Sequence, residues 1–290
     1  MCLNLFEDGD KHALTCISMS INSQTCNFKI KCAISGKSIM LTAERRQFIM
    51  EILRRDKKVL SSELSAVLKV SEDTIRRDLR ELAESGFLQR VHGGALLISP
   101  AIASYADRQK QAPKEKEAIA RAAAKLVSTG QVVILDGGTT TLQVARHLPL
   151  DLQATIVTNS PPIAVALAEH PHVEVVMLGG KLYKKALVNV GTTTVESLRM
   201  IRADLCMLGV CSVHPEFGIS VQNLDEAHVK RAMIAGAAEV VALATEEKLD
   251  TAAPYVVESI HAITYLVTAP TVSDRILTSY KALGLAIVRD

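Results

Sequence analysis

The sequence predicts an α/β chain in two unequal parts: a small helical head carrying a β-hairpin, and a larger layered body built on a parallel sheet. Three observations carry this. Residues 40–97 contain three short amphipathic helical patterns, followed by two strand-like runs around a glycine pair. From residue 116 onward, short apolar runs alternate with helical stretches, the order that builds layered sheets. Apolar residues make up 48% of the chain but aromatics only 3%, so aliphatic side chains must build the cores.

At 290 residues the chain has room for one large domain or two smaller ones. Its charged fraction of 22% is ordinary for a globular protein. No apolar run approaches the roughly 18 residues of a membrane span, so no membrane partner is expected. A net charge of +2 is too small to point to nucleic acid, and placement matters more. Residues 40–97 carry eleven Lys and Arg against nine Asp and Glu, with arginine pairs at Arg45 and Arg46, Arg54 and Arg55, and Arg76 and Arg77. Residues 98–290 carry eighteen against nineteen.

Of the six cysteines, four precede residue 40 (Cys2, Cys16, Cys26 and Cys32) and two lie in the body (Cys206 and Cys211). No CxxC pair occurs, so no metal site is expected. Cys206 and Cys211 sit in apolar surroundings and read as buried small hydrophobes in a reducing, cytoplasmic compartment. Residues 1–39 lack a helical stripe, and their start is acidic (Glu7, Asp8, Asp10), which argues against a signal peptide. They read as a disordered extension or as a stretch upstream of a start at Met40.

In the head, Thr42 is placed to cap a first helix whose stripe is Phe48, Ile49, Ile52 and Leu53. Arg45, Arg46, Arg54 and Arg55 surround that stripe. A second helix begins at Ser61 or Ser62, with Leu64, Val67 and Leu68 facing inward. Ser71 then caps a third helix, with Glu72 and Asp73 in its first turn, where negative charge suits the helix dipole. Ile75, Leu79 and Leu82 face inward, Thr74, Arg76, Arg77 and Arg80 lie mainly elsewhere, and Gly86 stops the helix. FLQRVHGGALL reads as strand, turn at Gly93 and Gly94, and strand. Two short helices around a tight turn with a β-hairpin wing form a winged helix-turn-helix, an architecture that lays its second helix in the DNA major groove. Thr74, Arg76, Arg77 and Arg80 are then the candidate contacts, since Arg reads guanine edges or holds phosphates. Glu72 could reach a base or serve only the dipole. Arg90 and His92 could reach the backbone or minor groove, and His92 is equally readable as an ordinary surface residue. The competing reading of the head is a three-helix protein-interaction module.

Residues 98–115, with Pro100 and Pro113, read as a linker, and a helix is expected from Glu115. The apolar run 132–135 reads as a buried parallel strand with Asp136 at its carboxyl end. Gly137 and Gly138 make a tight turn, and Thr139, Thr140 and Thr141 lead into a helix. Free amides at a helix N-terminus attract phosphate, and threonine hydroxyls add donors. A bare strand-to-helix turn is the alternative, because the segment has neither a GK[ST] ending nor a full GxGxxG pattern. Further strands are expected at TIVTN (ending at Asn159), VEVVMLGG (ending at Gly179 and Gly180), DLCMLGV, EVVALAT and AITYLVTA. Glu226 and Lys230 lie four residues apart on a helix, a spacing that fits a surface ion pair or a lysine turned toward an anion.

The string VSEDTIRRDLRELAESGFLQRVHGGA, residues 70–95, resembles the signature of DeoR-type bacterial transcriptional regulators, and the resemblance runs over residues 40–270. It implies a recognition helix carrying Ser71, Thr74, Arg76 and Arg77, and a wing carrying Arg90, His92, Gly93 and Gly94. It also implies that residues 116–290 form a Rossmann-like α/β domain similar to sugar-phosphate isomerases such as ribose-5-phosphate isomerase, used as a sensor and for oligomerisation. The effector residues this implies are Asp136, Gly138, Thr139, Thr140, Thr141, Asn159, Gly180, Gly191 and Lys230. Lys248, in ATEEKLD, stands where the family carries the lysine of a Ser-Ser-Lys-Phe-like segment. Cys211 and Ser212 depart from the family's usual acidic-glycine pair. The expected protein is a repressor of carbohydrate-metabolism genes, without catalytic residues or cofactor. Its expected partners are double-stranded operator DNA, a phosphorylated sugar or related metabolite, and further copies of itself in a homodimer or larger assembly. Activation in place of repression stays open, as does a sugar-phosphate enzyme with Asp136 and Lys230 as acid-base groups.

Overall fold

The computed structural model describes residues 40–290, and the expectations for residues 1–39 lie outside the described residues. In the head, helix α1 (Thr42–Asp56) is followed by strand β1 (Lys58–Leu60), α2 (Ser61–Leu68), α3 (Glu72–Glu84), β2 (Leu88–Val91) and β3 (Gly94–Leu97). The strands form an antiparallel sheet in the order β1-β3-β2. Ile49, Leu53, Ile75, Leu79 and Leu88 meet in one small apolar core. The stripe expected on α3 is buried; on α1, Ile49 and Leu53 are buried as expected, Phe48 and Ile52 are half-buried, and Met50, outside the expected stripe, is buried.

Several local details differ from the sequence reading. Leu41, not Thr42, is the N-cap of α1, and the Glu44 carboxylate accepts its backbone N–H at 2.9 Å. A glutamate one turn inside the helix does the capping, so Thr42 needs no special role. Val67 is 60% exposed, and only Leu64 of the α2 stripe is fully buried. Strand β1 was not anticipated, since three residues are too few to display a period of two. It explains the second wing glycine: a Cβ on Gly94 would overlap the Val59 carbonyl oxygen of β1. Gly93, with φ of 79°, turns the wing through backbone space that other residues rarely enter.

The body continues with α4 (Tyr105–Lys110), α5 (Pro113–Ala124), β4 (Val132–Leu135), α6 (Thr139–Arg146), β5 (Ala154–Thr158), α7 (Pro161–Leu167) and β6 (Val173–Met177). Next come β7 (Lys181–Tyr183), β8 (Val188–Val190), α8 (Thr192–Arg199), β9 (Ala203–Gly209), β10 (Ser212–His214), β11 (Gly218–Val221) and α9 (Leu224–Ala235). The chain closes with β12 (Ala237–Leu243), β13 (Tyr255–Glu258), β14 (Tyr265–Val267), α10 (Asp274–Ala282) and β15 (Ala286–Val288). Seven strands form a parallel sheet in the order β15-β14-β12-β9-β4-β5-β6. Its central strands are continuous apolar runs, as a sheet covered on both faces requires. β7 and β8 pair as a hairpin, and β10, β11 and β13 form a second small sheet.

Strand order fixes where a ligand would enter. From β4 the chain moves outward to β5 and β6, whereas β9 starts a run outward through β12, β14 and β15 in the opposite direction. The adjacent pair β4 and β9 is therefore the topological switch point, the place at the carboxyl ends of the strands where sheets of this kind take ligands.

The stretch expected as a linker is ordered and packed. It holds a 3₁₀ turn at Pro100–Ile102 and helix α4, and α5 starts at Pro113, two residues before Glu115. Proline suits the first helical position because its missing N–H has no partner there. Tyr105 is buried and its backbone N–H donates to the Lys185 carbonyl at 3.0 Å. The buried Lys116 ammonium donates to the carbonyls of Arg108 and Gln111, closing the end of α4. Among the described residues, no helix is long and apolar enough to cross a membrane.

Candidate functional sites: an exposed basic helix and a buried charge cluster

Helix α3 divides cleanly into two faces. Ile75, Asp78, Leu79 and Leu82 are buried, while Asp73, Arg76, Arg77 and Arg80 are exposed. Ser71 is the N-cap as expected: its hydroxyl accepts the Thr74 backbone N–H at 3.2 Å and lies 2.9 Å from the Thr74 hydroxyl. Arg76 is held along its own helix by Glu72 at 2.7 Å and Asp73 at 3.1 Å. Arg77, Arg80 and, in the wing, Arg90 enter no ion pair among the described residues and project into solvent with His92. Gly93 is exposed at the wing tip, whereas Gly94 is buried under β1, which makes it a packing residue.

What seats this helix was not visible in the sequence. Arg45 is 8% exposed and Asp78 1%, and they meet inside the head. Arg45 donates from Nε at 2.5 Å and from Nη2 at 3.2 Å to the two Asp78 oxygens, and Arg46 adds a bond from Nε at 3.2 Å. Arg46 also pairs with Glu81. Arg45 and Arg46 are thus a clamp on α3, whereas Arg54 and Arg55 stay exposed. Nothing in the local pattern signals this, because the partners lie 33 residues apart.

In the body, Asp136 follows β4 at the switch point and is 1% exposed. One of its oxygens accepts the Gly209 backbone N–H at 2.9 Å and also the Lys230 ammonium. Lys230 donates further to the Gly209 carbonyl at 2.8 Å, with Glu226 Oε1 at 3.5 Å. The Glu226 and Lys230 spacing thus makes a buried pair, not a surface one. Burial alone would lower the Lys230 pKa, but Asp136 and then Glu226 hold it above the ordinary lysine value. Burial raises the Glu226 pKa and draws it toward its protonated form, while Lys230 stays charged.

Gly138, Thr139, Thr140 and Thr141 are buried at the start of α6 beside this cluster. Thr141 spends its hydroxyl on the Gly138 carbonyl at 3.1 Å, but Thr140 Oγ1 has no partner among the described residues. Asn159 is fixed by donating its amide to the Asn189 carbonyl at 3.0 Å, and its Oδ1 is unpartnered. Ser212 Oγ, just past β9, is also buried and unpartnered. Buried polar atoms without partners are costly to the fold. Gly180 and Gly191 flank the first turn of α8, Gly180 against Thr194 and Gly191 as N-cap. Gly191 lines a separate cleft with Arg199, Arg202 and Arg231. Asn189, which fixes Asn159, was not singled out by the sequence reading, and it sits in no pattern that would have flagged it.

Lys248, on the loop after β12, is 7% exposed and enters no ion pair among the described residues. Burial depresses its pKa to about 8, with repulsion from Arg108 and Lys116 working in the same direction. Between that value and the ordinary lysine pKa, the unfolded chain holds the proton more tightly, so this group's contribution to stability rises with pH. We expect Lys248→Gln to be more stable than the parent at pH 7, and the gap to narrow as pH climbs past about 8. Thermal midpoints at pH 7 and pH 10 check this, and a gap independent of pH would refute it. Cys206 and Cys211 are both buried free thiols whose pKa burial raises, consistent with a packing role.

Comparison with known proteins agrees with these two parts. A DeoR-like helix-turn-helix domain family matches residues 45–101, and the DeoR C terminal sensor domain family matches residues 111–269. The chain is 35% identical over 231 residues to the HTH-type transcriptional repressor GlcR of Bacillus subtilis, covering 79% of this chain and 89% of that protein. It is 35% identical over 251 residues to the HTH-type transcriptional regulator GlpR of Haloferax volcanii, covering 86% and 98%. With the glycerol-3-phosphate regulon repressor of Escherichia coli the identity is 31% over 210 residues, covering 72% and 83%. Ribose 5-phosphate isomerase A of Methanocaldococcus jannaschii overlaps 46% of this chain and 52% of its own, at 19% identity and a TM-score of 0.34. The chain therefore belongs to the DeoR family of helix-turn-helix transcriptional regulators, with a DNA-binding head and a sensor body.

Proposed function

We propose that the protein represses carbohydrate-metabolism genes by holding operator DNA through α3 and the wing, and releases it when the body binds a phosphorylated sugar. The observation that carries this is the pairing of an exposed helix bearing uncommitted arginines with buried, unpartnered hydroxyl and amide oxygens on Thr140 and Asn159, just past the carboxyl ends of β4 and β5. Similarity to repressors supports it, and one of them is named for a glycerol-3-phosphate regulon. In this reading Ser71, Glu72, Thr74, Arg76, Arg77, Arg80, Arg90, His92 and Gly93 form the DNA face. Gly138, Thr139, Thr140, Thr141 and Asn159 take the sugar hydroxyls and phosphate, with Lys248 nearby. Asp136 and Lys230 shape the pocket from beneath, since each is already committed to the other. That commitment also leaves neither free as the acid or base an isomerase would need.

The division proposed is a head of residues 40–97, an ordered connection of 98–115 and a body of 116–290. One recognition helix covers few base pairs, so at least a dimer is proposed, with its two helices set on a two-fold operator. Release is then a population shift: effector favours an arrangement whose paired helices no longer match the half-sites.

The test is an anisotropy titration of the full chain against duplex from upstream of its own gene, repeated with a panel of sugar phosphates. Binding reversed by a phosphosugar is the expected result. Failure to bind any duplex, even after selection from random DNA, would end the proposal. In the same assay Arg77→Ala is expected to cost about 1–3 kcal/mol of operator binding, and to flatten the salt slope by about one if its contact is to phosphate. Unchanged operator affinity would remove Arg77 from the interface.

A further inference from the structure

We propose that the outward face of α7 is the surface on which a second copy of this chain docks, the two copies being related by a two-fold axis at Val165. The proposal rests on the reading that paired recognition helices hold the operator, and it adds the surface that pairs them.

Residues 161–168, PPIAVALA, form α7 and its C-cap and carry no polar side chain. Ile163 and Leu167 are buried against the body, as one apolar stripe should be. The opposite side is apolar too: Val165 is 75% exposed, and Ala166 and Ala168 are exposed beside it. A lone exposed valine needs no explanation, but a surface helix is expected to be polar toward water, and one that is apolar all round is expected to be covered. An apolar groove of about 770 Å³ opens beside Val165, between α4, α6, α7 and the β7–β8 hairpin. Leu142, Pro161, Pro162 and Leu182 line it, and Leu182 is itself exposed.

The two ends of α7 differ in charge. At its start the hairpin places Lys184 in the lining of the groove, with Lys181 and Lys185 exposed on either side. At its far end stand the exposed carboxylates Glu169 and Asp151. Nε2 of His170 lies 3.0 Å from the Pro149 carbonyl, which ties the turn bearing Leu150 and Asp151 to the end of α7. None of these three lysines and two acids enters an ion pair among the described residues. Glu169 lies past the helix carboxyl end, where the dipole disfavours negative charge, so it does not serve its own helix. Leu150, at the same end, is 73% exposed. Two other charges border the groove: Arg146 lines it, and Asp107 on α4 accepts the Ser104 hydroxyl at 2.6 Å.

A two-fold axis through Val165 lays α7 antiparallel on its copy. Val165 then packs on its own counterpart at the centre. Lys184 of one protomer faces Glu169 and Asp151 of the other, and Leu150 is carried toward the other's groove. Each contact is made twice, as an isologous pair requires. A parallel arrangement would set lysine against lysine and acid against acid, which costs affinity. An apolar centre with unlike charges at its two ends is therefore complementary to itself, and the occupant it fits is a second copy.

The test is sedimentation equilibrium of the full chain at micromolar concentration. The parent is expected to sediment as a dimer or an even multiple of it. Val165→Glu is expected to raise the dissociation constant of the pairing step about thirtyfold or more, the effect of losing a central anchor. Glu169→Lys and Lys184→Glu are each expected to weaken pairing about tenfold, and the double variant to recover most of the loss. All three side chains are exposed, so circular dichroism is expected to show the parent's fold in every variant. The charge exchange keeps the test open even if Val165→Glu does not fold, since no unfolded chain is rescued by a second reversal at the surface. A monomeric parent, a dimer indifferent to Val165→Glu, or a double variant no better than the single ones overturns the proposal. A parent that pairs through this face yet binds no duplex removes the proposed function instead and leaves the surface standing.

Discussion

Lys230→Met is expected to destabilise the body by about 3–5 kcal/mol, because it strands a carboxylate in an interior that cannot solvate it. Asp136 is 1% exposed, and its remaining protein donor is the Gly209 amide. Ion pairs at the surface are worth far less, so the size of the effect reports burial. Urea denaturation followed by circular dichroism measures it. The double variant Asp136→Asn with Lys230→Met removes both charges and is expected to recover part of the loss. A single variant with the parent's midpoint would show that the pair contributes nothing to the body's stability. The outcome also bears on function, since a loss of effector response in any Lys230 variant has to be separated from loss of the fold that holds the site.

An effect of similar size is expected in the head from Asp78→Ala. Its carboxylate accepts from Arg45 twice and from Arg46 once, and Arg45 has little water to turn to. Removing the acceptor leaves a buried guanidinium uncompensated, at a cost of about 3–5 kcal/mol. The apolar core of the head is small and separate from that of the body. An early, low-temperature transition is therefore expected, together with weakened operator binding as α3 loses its seat on α1. Asp78→Leu combined with Arg45→Met replaces the pair by apolar bulk and is expected to restore the midpoint. If Asp78→Ala melts like the parent, the clamp is ornamental and α3 is held by its leucines alone.

Much of the architecture was legible in the residues because it is local. The stripes Ile49 and Leu53 on α1, and Ile75, Leu79 and Leu82 on α3, repeat at the helical period and are the ones buried. Six of the seven strands of the parallel sheet are apolar runs that announced themselves. The turn after β4 displays its acidic residue, its glycines and its threonines in one stretch. The elements that escaped are short. β1, β7, β8, β10 and β15 have three residues each, too few for alternation to be read. Val67 was misplaced because a two-turn helix leaves its rotation open to a neighbouring stripe.

By itself, then, the sequence determined the two-part plan, the recognition helix with its cap and wing, and the family to which the chain belongs, since all of these are written in contiguous patterns. Tertiary structure alone decided the pairings between distant charges. Arg45 turned from a surface residue into half of a buried clamp, 33 positions from Asp78. Lys230 found Asp136 across 94 positions and became half of a buried ion pair. Arg108, in a stretch that reads as a linker, buried its Nε and set its guanidinium 5.8 Å from the centroid of the Tyr105 ring. Periodicity reports which face of an element is apolar, but a buried charge is placed by what the fold brings opposite it, and that partner leaves no trace in the neighbouring residues.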